Sequence, residues 1–266
     1  MPQLSLRRSG AVAVVSIANP PDGCMDQATV AELDALTGSF EHDQELKVAV
    51  FAGGLPGVFI RHYSVVELER LARDLKARGK TFDPNKPAPE RILDRVFRRM
   101  EHGHVVTIAA IDGHAMGGGF EFALACDLRI AGDGAFAIGL PEVNLGILPG
   151  AGGTQKLARL VGVARALELT LRGRTVGPRE AARLGLVHEL AAEGALARAE
   201  QIAGEIADKP AAALRHIKRL VRGTQETSLA EGLALERTLF LDLMVSDEAI
   251  QRMARMNVEA RDIRNA

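Results

Sequence analysis

The chain of 266 residues has little cysteine and no long hydrophobic run. Its two cysteines, Cys24 and Cys126, lack metal-type spacing, so we predict a reduced, intracellular and cytoplasmic protein. No apolar run approaches the roughly 20 residues that cross a bilayer. The first residues lack the basic start and apolar stretch of a signal peptide. We therefore expect neither a membrane span nor a secretory leader.

The sequence also lacks an excess of charge of either sign. Its 33 lysines and arginines oppose 34 aspartates and glutamates, which gives a formal net charge of -1. This balance creates no global field that attracts nucleic acid, so we expect no nucleic-acid partner. Hydrophobic residues make up 47% of the chain, which is enough to bury a core. The length suits one large domain, or a main domain with a smaller helical appendage.

Several motifs of catalysis and cofactor binding are missing. The absence of G-x-S-x-G argues against a serine hydrolase. The glycine loop at 117–119 lacks the dinucleotide-binding spacing G-x-G-x-x-G, and no Gly-Lys-Ser/Thr of a Walker loop follows it. His102 and His104 lack the spacing of a zinc motif, so we predict no metal site and favour solvated or core histidines. His62 and His114 flank turns and stay open as functional candidates.

Short apolar runs alternate with helical segments over about the first 190 residues, and the remainder is almost wholly helical. Asp26 is predicted to cap a helix that ends near Phe40. A polar helical region follows, interrupted by three prolines in residues 83–89. We predict a core over residues 1–195 and a helical region over 196–266 that could cover a neighbouring subunit. The predicted strands are residues 4–7, 12–17, 47–52, 105–111, 128–131 and 186–190.

Residues 109–126 (AAIDGHAMGGGFEFALAC) predict a strand, a glycine turn and the start of a helix. Glycine lets a ligand approach the backbone closely, and a helix start offers unpaired N–H groups at its positive end. Such a site suits an anion or a developing oxyanion. From spacing alone, a tight turn that only needs positive φ is an equal alternative.

Two carboxylates stand in apolar surroundings near this turn. Glu121 lies in the first turn after the glycines, within an apolar stretch, so burial would raise its pKa while the helix dipole would lower it. Glu142 follows Pro141 in the apolar stretch 138–145. Plain interpretations are a dipole-stabilised helix glutamate and an exposed loop carboxylate. The functional alternative is a general acid/base pair that converges on one substrate.

Residues 110–127 (AIDGHAMGGGFEFALACD) and 136–155 (FAIGLPEVNLGILPGAGGTQ) closely resemble the two signature blocks of the crotonase (enoyl-CoA hydratase/isomerase) superfamily. The resemblance continues at 171–174 (LRGR) and 181–187 (AARLGLV) and covers most of the chain. It implies an α/β fold, a crotonase-like spiral of ββα units with a C-terminal helical trimerisation region. The implied assembly is a homotrimer or a dimer of trimers. The implied ligand is an acyl-CoA thioester, with coenzyme A as part of the substrate and no separate cofactor.

This resemblance also implies roles for individual residues. The thioester oxygen would lie between two backbone N–H groups, those of Gly118 and of Arg61. Glu121 and Glu142 match the two hydratase glutamates, which place water on the β-carbon and exchange a proton at the α-carbon. Further substrate-binding residues implied around them are Ile60, His62, Tyr63, Gly117, Gly119, Pro141 and Gly150.

The chain departs from the family pattern in two places. Arg61 and His62 stand where small residues usually admit the pantetheine and the adenine end. The usual basic ending reads MARMNVEAR at residues 253–261. Retention of both glutamates favours an enoyl-CoA hydratase of fatty acid metabolism, which adds water across the 2,3 double bond. Alternatives are an isomerase, a thioesterase or dehydratase on an acyl-carrier thioester, and a non-catalytic relative that binds acyl-CoA or RNA.

Overall fold

Residues 2–259 and Asp262 are described by a computed structural model. In this part of the chain, strands alternate with helices as far as residue 191, and helices follow. The strands are β1 (Leu4–Ser9), β2 (Val12–Ile17), β3 (Val48–Gly53), β4 (Val58–Ile60), β5 (Val106–Ile111), β6 (His114–Met116), β7 (Leu128–Gly132), β8 (Ile138–Gly139), β9 (Thr175–Val176) and β10 (Glu189–Ala191). The helices are α1 (Gln27–Phe40), α2 (Val65–Ala77), α3 (Ile92–His102), α4 (Gly118–Ala125), α5 (Gly153–Val161), α6 (Val163–Leu171), α7 (Pro178–Leu184), α8 (Ala195–Ala207), α9 (Ala211–Gly223), α10 (Leu229–Met244) and α11 (Asp247–Glu259), with a 3-10 helix at Glu142–Leu145.

A large sheet holds six strands in the order β1-β2-β3-β5-β7-β10. Only the β1–β2 pair is antiparallel; the other neighbours in this sheet run parallel. Parallel strands covered on both faces need continuous apolar sequence. The six residues of β5 are buried without exception, and so are the first five of β3. The predicted strands at 47–52 and 105–111 are therefore confirmed as central strands of this sheet.

A second sheet holds four short strands in the order β4-β6-β8-β9. In it, β4, β6 and β8 run parallel to one another, and β9 runs antiparallel to β8. In each of the pairs β3–β4, β5–β6 and β7–β8, the first strand joins the large sheet and the second joins the small one. A helix follows each pair, so the repeated unit is ββα. The predicted α/β spiral of ββα units is confirmed.

The strands of the small sheet escape prediction from sequence because they have only two or three residues. A period of two cannot be recognised over such a length. His114 is an example, because it is the first residue of β6, a strand that the sequence did not predict. Its Nδ1 accepts a hydrogen bond from the N–H of Ala137 at 3.1 Å, which is a structural role.

The core centres on α4, whose eight residues are all buried. The ring of Phe122 packs edge-on against Phe51 and Phe97, with centroids 5.1 and 5.9 Å apart, and lies 6.1 Å from Phe59. A helix that is apolar on all sides belongs inside a protein. Glu121 is the one ionisable residue of this helix, so its environment is set by the core.

The contacts of the chain divide it into two units, one ending at Ile206 and one starting at Ala207. The boundary predicted between residues 195 and 196 falls at the start of α8. The second unit contains α9, α10 and α11. Of the segment 253–261, Ala260 and Arg261 lie outside the described residues. Within the described chain, we find no helix with the length and apolarity needed to cross a bilayer.

Candidate active site

The backbone conformation and the close neighbours of residues 117–119 explain why these three residues are glycines. Gly117 adopts φ +50°, which L-residues with side chains rarely do, and it precedes α4. A Cβ on Gly119 would lie 1.9 Å from the carbonyl oxygen of Ile60. One on Gly118 would lie 3.1 Å from the Cβ of Tyr63. The segment after β4 therefore lies directly against the start of α4, whose first N–H groups have no partner within the helix.

The direction of the backbone decides which N–H groups face this helix start. The N–H of Met25 donates to His62 at 2.8 Å, and the N–H of Ser64 donates to the carbonyl of Met25 at 2.7 Å. In such a parallel bridge the residue between the two, Tyr63, directs its own N–H and carbonyl away from Met25. The nitrogen of Tyr63 lies 3.3 Å from the Cβ position of Gly118. The N–H groups of Tyr63 and Gly118 are thus neighbours.

The backbone N–H of Arg61 does not point where its predicted role requires. Its backbone N–H donates to the carbonyl of Gly23 at 2.9 Å. An N–H engaged in this bond cannot also bind a ligand oxygen on the opposite side. The side chain of Arg61 turns to the same segment, since its Nε donates to the carbonyl of Asp22 at 2.7 Å. This bond contradicts the assignment of Arg61 as backbone donor, and the nearby N–H that faces the start of α4 is that of Tyr63.

The side chain of Tyr63 also lies in this region. Its hydroxyl donates to the carboxylate of Glu67 at 3.0 Å. Burial and this carboxylate raise the pKa of Tyr63 to about 12, so the phenol stays protonated at neutral pH. Its neighbour His62 lies with its Cβ 3.7 Å from the Cβ position of Gly117. The Nδ1 of His62 is 2.7 Å from the carbonyl of Tyr63, which can only accept, so Nδ1 carries the hydrogen.

Glu121 is a buried carboxylate, 3% exposed, bound by backbone donors. Its Oε1 accepts from the N–H of Ala151 at 2.7 Å and from that of Gly153 at 2.8 Å. Burial raises its pKa, opposed by these two hydrogen bonds and by the charges of Lys156 and Arg91. Two N–H donors on one oxygen stabilise the ionised form and so offset part of the effect of burial.

Glu142 differs from Glu121 in its hydrogen bonds, although it too lies beside the glycine turn. Its Oε1 is 3.1 Å from the Cβ position of Gly117. Within the described chain, its Oε2 is a buried oxygen without a hydrogen-bond partner. Burial raises the pKa of Glu142 to about 7, opposed by its own backbone N–H and reinforced by the charge of Glu121. This carboxyl can therefore hold a proton near neutral pH.

Burial thus raises the pKa of both glutamates, and they differ in that two N–H donors hold the carboxylate of Glu121. Two carboxyl groups in different surroundings are candidates for an acid and a base. The interpretation of Glu142 as an exposed loop carboxylate is wrong, because it lies partly buried in a 3-10 helix. Glu121 is at a helix start, as predicted, but its bonds reach another loop.

The remaining predicted residues surround this pair. Ile60 is a buried residue of β4 whose carbonyl touches Gly119, and Pro141 precedes the 3-10 helix of Glu142. The carbonyl of Gly150 accepts from Nη2 of Arg91 at 2.6 Å.

Sequence reasoning missed Arg91, Ala151 and Gly153. The cluster of glycines at 150–153 was the available signal, but no role could be assigned to it.

His104, outside the site, has a structural partner. Nε2 of His104 lies 3.0 Å from the carbonyl of Asp43, which it can only bind as a donor. In the described part of the chain, no three His, Cys, Asp or Glu side chains are grouped so as to hold a metal ion. The thiol of Cys24 lies 3.7 Å from the ring of His62, and burial raises its pKa.

Known proteins share both the sequence and the fold. The profile of the family described as enoyl-CoA hydratase/isomerase matches residues 7–264. The short-chain-enoyl-CoA hydratase of Clostridium acetobutylicum is 34% identical over 238 residues, 88% of this chain and 87% of that protein. The mitochondrial enoyl-CoA hydratase domain-containing protein 2 of Mus musculus is 36% identical over 85% of this chain and 74% of its own length.

Among solved structures, the enoyl-CoA hydratase of Bacillus anthracis superposes with a TM-score of 0.85 at 27% identity, covering 97% of each chain. This chain therefore has the crotonase fold and belongs to the enoyl-CoA hydratase/isomerase family. Members of this family act on acyl-CoA thioesters.

The raised pKa of Glu142 makes a prediction about stability. A carboxyl with a pKa of about 7 in the fold and about 4.3 in the unfolded chain contributes stability that is complete below about pH 4.3. That contribution is lost as the pH rises through 7. The variant Glu142→Gln, which cannot ionise, should be more stable than the parent at pH 8 by about 1–3 kcal/mol. Urea unfolding at pH 8 and pH 5 measures the difference, which should shrink at pH 5.

The matched control is Glu69→Gln, because Glu69 is an exposed carboxylate of α2. It should show no gain of stability between pH 5 and pH 8. If Glu142→Gln and the parent are equally stable at pH 8, the proposed protonation of Glu142 is wrong.

Proposed function

We propose that the protein is an enoyl-CoA hydratase, which adds water across the 2,3 double bond of a 2-enoyl-CoA thioester. The observation that carries this proposal is the pair of buried side chains of Glu121 and Glu142, which lie beside one glycine turn and differ in their hydrogen bonds. Addition of water to an enoyl thioester needs both a base for water and an acid for the α-carbon. The similar proteins from Clostridium acetobutylicum and Bacillus anthracis are named as enoyl-CoA hydratases, which supports the same chemistry.

The first element of the mechanism is an oxyanion hole made by the N–H groups of Gly118 and Tyr63. Attack at the β-carbon moves negative charge onto the thioester oxygen, which becomes enolate-like. Donors fixed at the start of α4 stabilise this charge without having to reorganise. The positive end of the helix favours the same state.

The second element is the transfer of protons. The carboxylate of Glu121 accepts a proton from a water molecule as the water oxygen bonds to the β-carbon. The carboxyl of Glu142 then gives its proton to the α-carbon, which yields the 3-hydroxyacyl thioester. Afterwards Glu121 is protonated and Glu142 ionised, so exchange of protons with solvent restores the starting state. Coenzyme A takes part only as the carrier of the acyl group.

An isomerase that moves the double bond is the second candidate function. It needs one group that removes a proton and returns it at another carbon. A pKa of about 7 suits Glu142 for both steps. The two functions differ in their need for Glu121, so mutation separates them.

Glu121→Gln and Glu142→Gln should each lower the rate of hydration at least about a hundredfold, the usual scale for one acid or base. The decay of enoyl-thioester absorbance with crotonyl-CoA and longer 2-enoyl-CoAs measures this rate. Circular dichroism should show an unchanged fold, and Glu69→Gln should retain full activity. Normal turnover in either variant removes that glutamate from the mechanism. Loss of activity in Glu142→Gln alone, measured on a 3-enoyl-CoA, favours the isomerase.

We further propose that the side chain of Arg61 holds the pyrophosphate of coenzyme A. Its Nε is bound to the carbonyl of Asp22, while the charge is not paired with a carboxylate among the ion pairs of the described residues. A guanidinium presents several donors in a plane that suits phosphate oxygens. A placement toward the outer end of the ligand also avoids the cost of a buried unpaired charge.

The variant Arg61→Ala should raise KM for a CoA thioester about tenfold, the effect of losing one charge-assisted hydrogen bond. It should leave KM for the corresponding pantetheine thioester almost unchanged, because this truncated substrate has no pyrophosphate. Equal losses for both substrates would place Arg61 at the acyl end. No loss for either would leave it as a surface residue.

We also propose assembly into a homotrimer or a dimer of trimers. Helix α10 exposes apolar side chains that a helix facing only water does not need, with Leu229 79% and Leu241 53% exposed. Light scattering at micromolar concentration should give three or six times the mass of the chain, 28.4 kDa. A monomer at that concentration contradicts the proposal.

A cytoplasmic location remains a proposal based on cysteine chemistry. In the described chain, neither Cys24 nor Cys126 forms a disulfide. Reducing compartments favour such thiols. The mouse relative is named as mitochondrial, so relatives do not all share one compartment.

A further inference from the structure

A guanidinium outside the acid/base pair lies one peptide group away from Glu121. Nη2 of Arg91, the residue before α3, donates to the carbonyl of Gly150 at 2.6 Å. The N–H of the same peptide, on Ala151, donates to Oε1 of Glu121 at 2.7 Å. We propose that Arg91 is a positioning residue, which holds this peptide so that its N–H stays directed at Glu121. The inference rests on the proposed function, in which Glu121 accepts the proton of water.

Arg91 is itself held rigidly. Its Nε and Nη2 donate to the two carboxylate oxygens of Asp94 at 2.8 and 2.7 Å. Its backbone N–H also donates to Asp94, at 2.9 Å, and so completes the cap of α3. A two-point pair between guanidinium and carboxylate fixes the plane of the guanidinium. The third bond, to Gly150, therefore comes from a group whose direction is already set.

Gly150, whose carbonyl Arg91 binds, has little packing of its own, although Ala151 beside it is buried. Gly150 is exposed, and a Cβ added to it would meet only the carbonyl of Leu148 at 3.8 Å. Gly152 adopts φ +96°, a conformation open to glycine. Glycines allow many backbone directions, so the direction of the Ala151 N–H needs an anchor outside the segment. The carbonyl of Gly150, on the same rigid peptide plane, provides it.

The bond from Arg91 also changes the chemistry of the peptide. A peptide whose carbonyl binds a cation is polarised and becomes a stronger N–H donor. A stronger donor stabilises the carboxylate of Glu121 relative to its acid form. The side chain of Arg91 is 59% exposed, so water screens its direct attraction to Glu121. The polarised peptide therefore adds to the direct effect of the Arg91 charge, which itself lowers the pKa of Glu121.

Other charged groups near Glu121 come from two elements. Lys156 of α5 lowers the pKa of Glu121, and it forms an ion pair with Glu101 at 3.0 Å. Glu142 of the 3-10 helix interacts with Glu121 as a like charge. The variants below leave these three residues in place, so a change in titration can be assigned to the Arg91–Asp94 pair.

The test uses two substitutions with opposite electrostatic effects. Arg91→Met removes the anchor and the cation, so the pKa of Glu121 should rise. Asp94→Asn keeps an oxygen for Arg91 but removes the opposing negative charge, so the pKa of Glu121 should fall. The carboxyl resonance that disappears in Glu121→Gln identifies Glu121 in carbon-13 NMR titrations of the full-length protein. A purely structural disturbance would not shift the titration in opposite directions.

The activity should change accordingly. In Arg91→Met, kcat should fall about tenfold or more through misplacement of the base, with KM for crotonyl-CoA nearly unchanged. The acidic limb of the pH profile should move to higher pH in this variant and to lower pH in Asp94→Asn. Arg91→Lys, which keeps the charge but not the two-point pair, should recover part of kcat. The control is Arg98→Met, because Arg98 forms an exposed pair with Glu90 and touches no part of the site.

An unchanged titration of Glu121 in Arg91→Met, or shifts of the same sign in both variants, overturns the role of Arg91. If Arg91→Met does not fold, Arg91→Lys and Asp94→Asn decide the question by the same titration. The titration needs no substrate. Absence of hydration by the parent protein would therefore reject the proposed function while the role of Arg91 is still measured.

Discussion

A carboxylate placed in an apolar core requires compensation, and the arrangement of the candidate site follows from that requirement. Glu121 lies on a helix that is buried on all sides, so bulk water solvates its charge poorly. Two backbone N–H groups, of Ala151 and Gly153, take the place of water. The segment at 149–153 must therefore lie against α4. Burial, reinforced by the negative charge held there, raises the pKa of Glu142 to about 7.

The repeated ββα unit explains why these groups meet. Each repeat contributes one strand to each sheet, so the ends of β4, β6 and β8 lie side by side. The N–H of Tyr63 follows β4, that of Gly118 follows β6, and Glu142 follows β8. Three segments distant in sequence reach one place because the small sheet arranges them. Short strands therefore determine function here, while the long strands of the large sheet supply the support.

The features that could be predicted from the sequence are those that depend on a few neighbouring residues. Asp26 was recognised as a helix cap, and its side chain does accept from the N–H of Thr29 at 2.8 Å. The long buried strands and the glycine turn were also predictable, because apolar periodicity and glycine act over a few neighbouring residues. The sequence could not show whether Arg61 or Tyr63 directs its N–H toward the start of α4, because this depends on a bridge between Tyr63 and Met25. The bond from Arg91 to Gly150 spans 59 positions and leaves no local pattern.

The connection between α2 and α3 gives the molecule a natural point of division. Every residue from 76 to 92 is exposed, and this stretch contains the three prolines. The strands on either side of it, β3 and β5, pair along five residues in the large sheet. A break in this connection would therefore leave two polypeptides joined by a central β-ladder, with Tyr63 on one and both glutamates on the other. The architecture lends itself to fragment complementation and to new termini made by circular permutation.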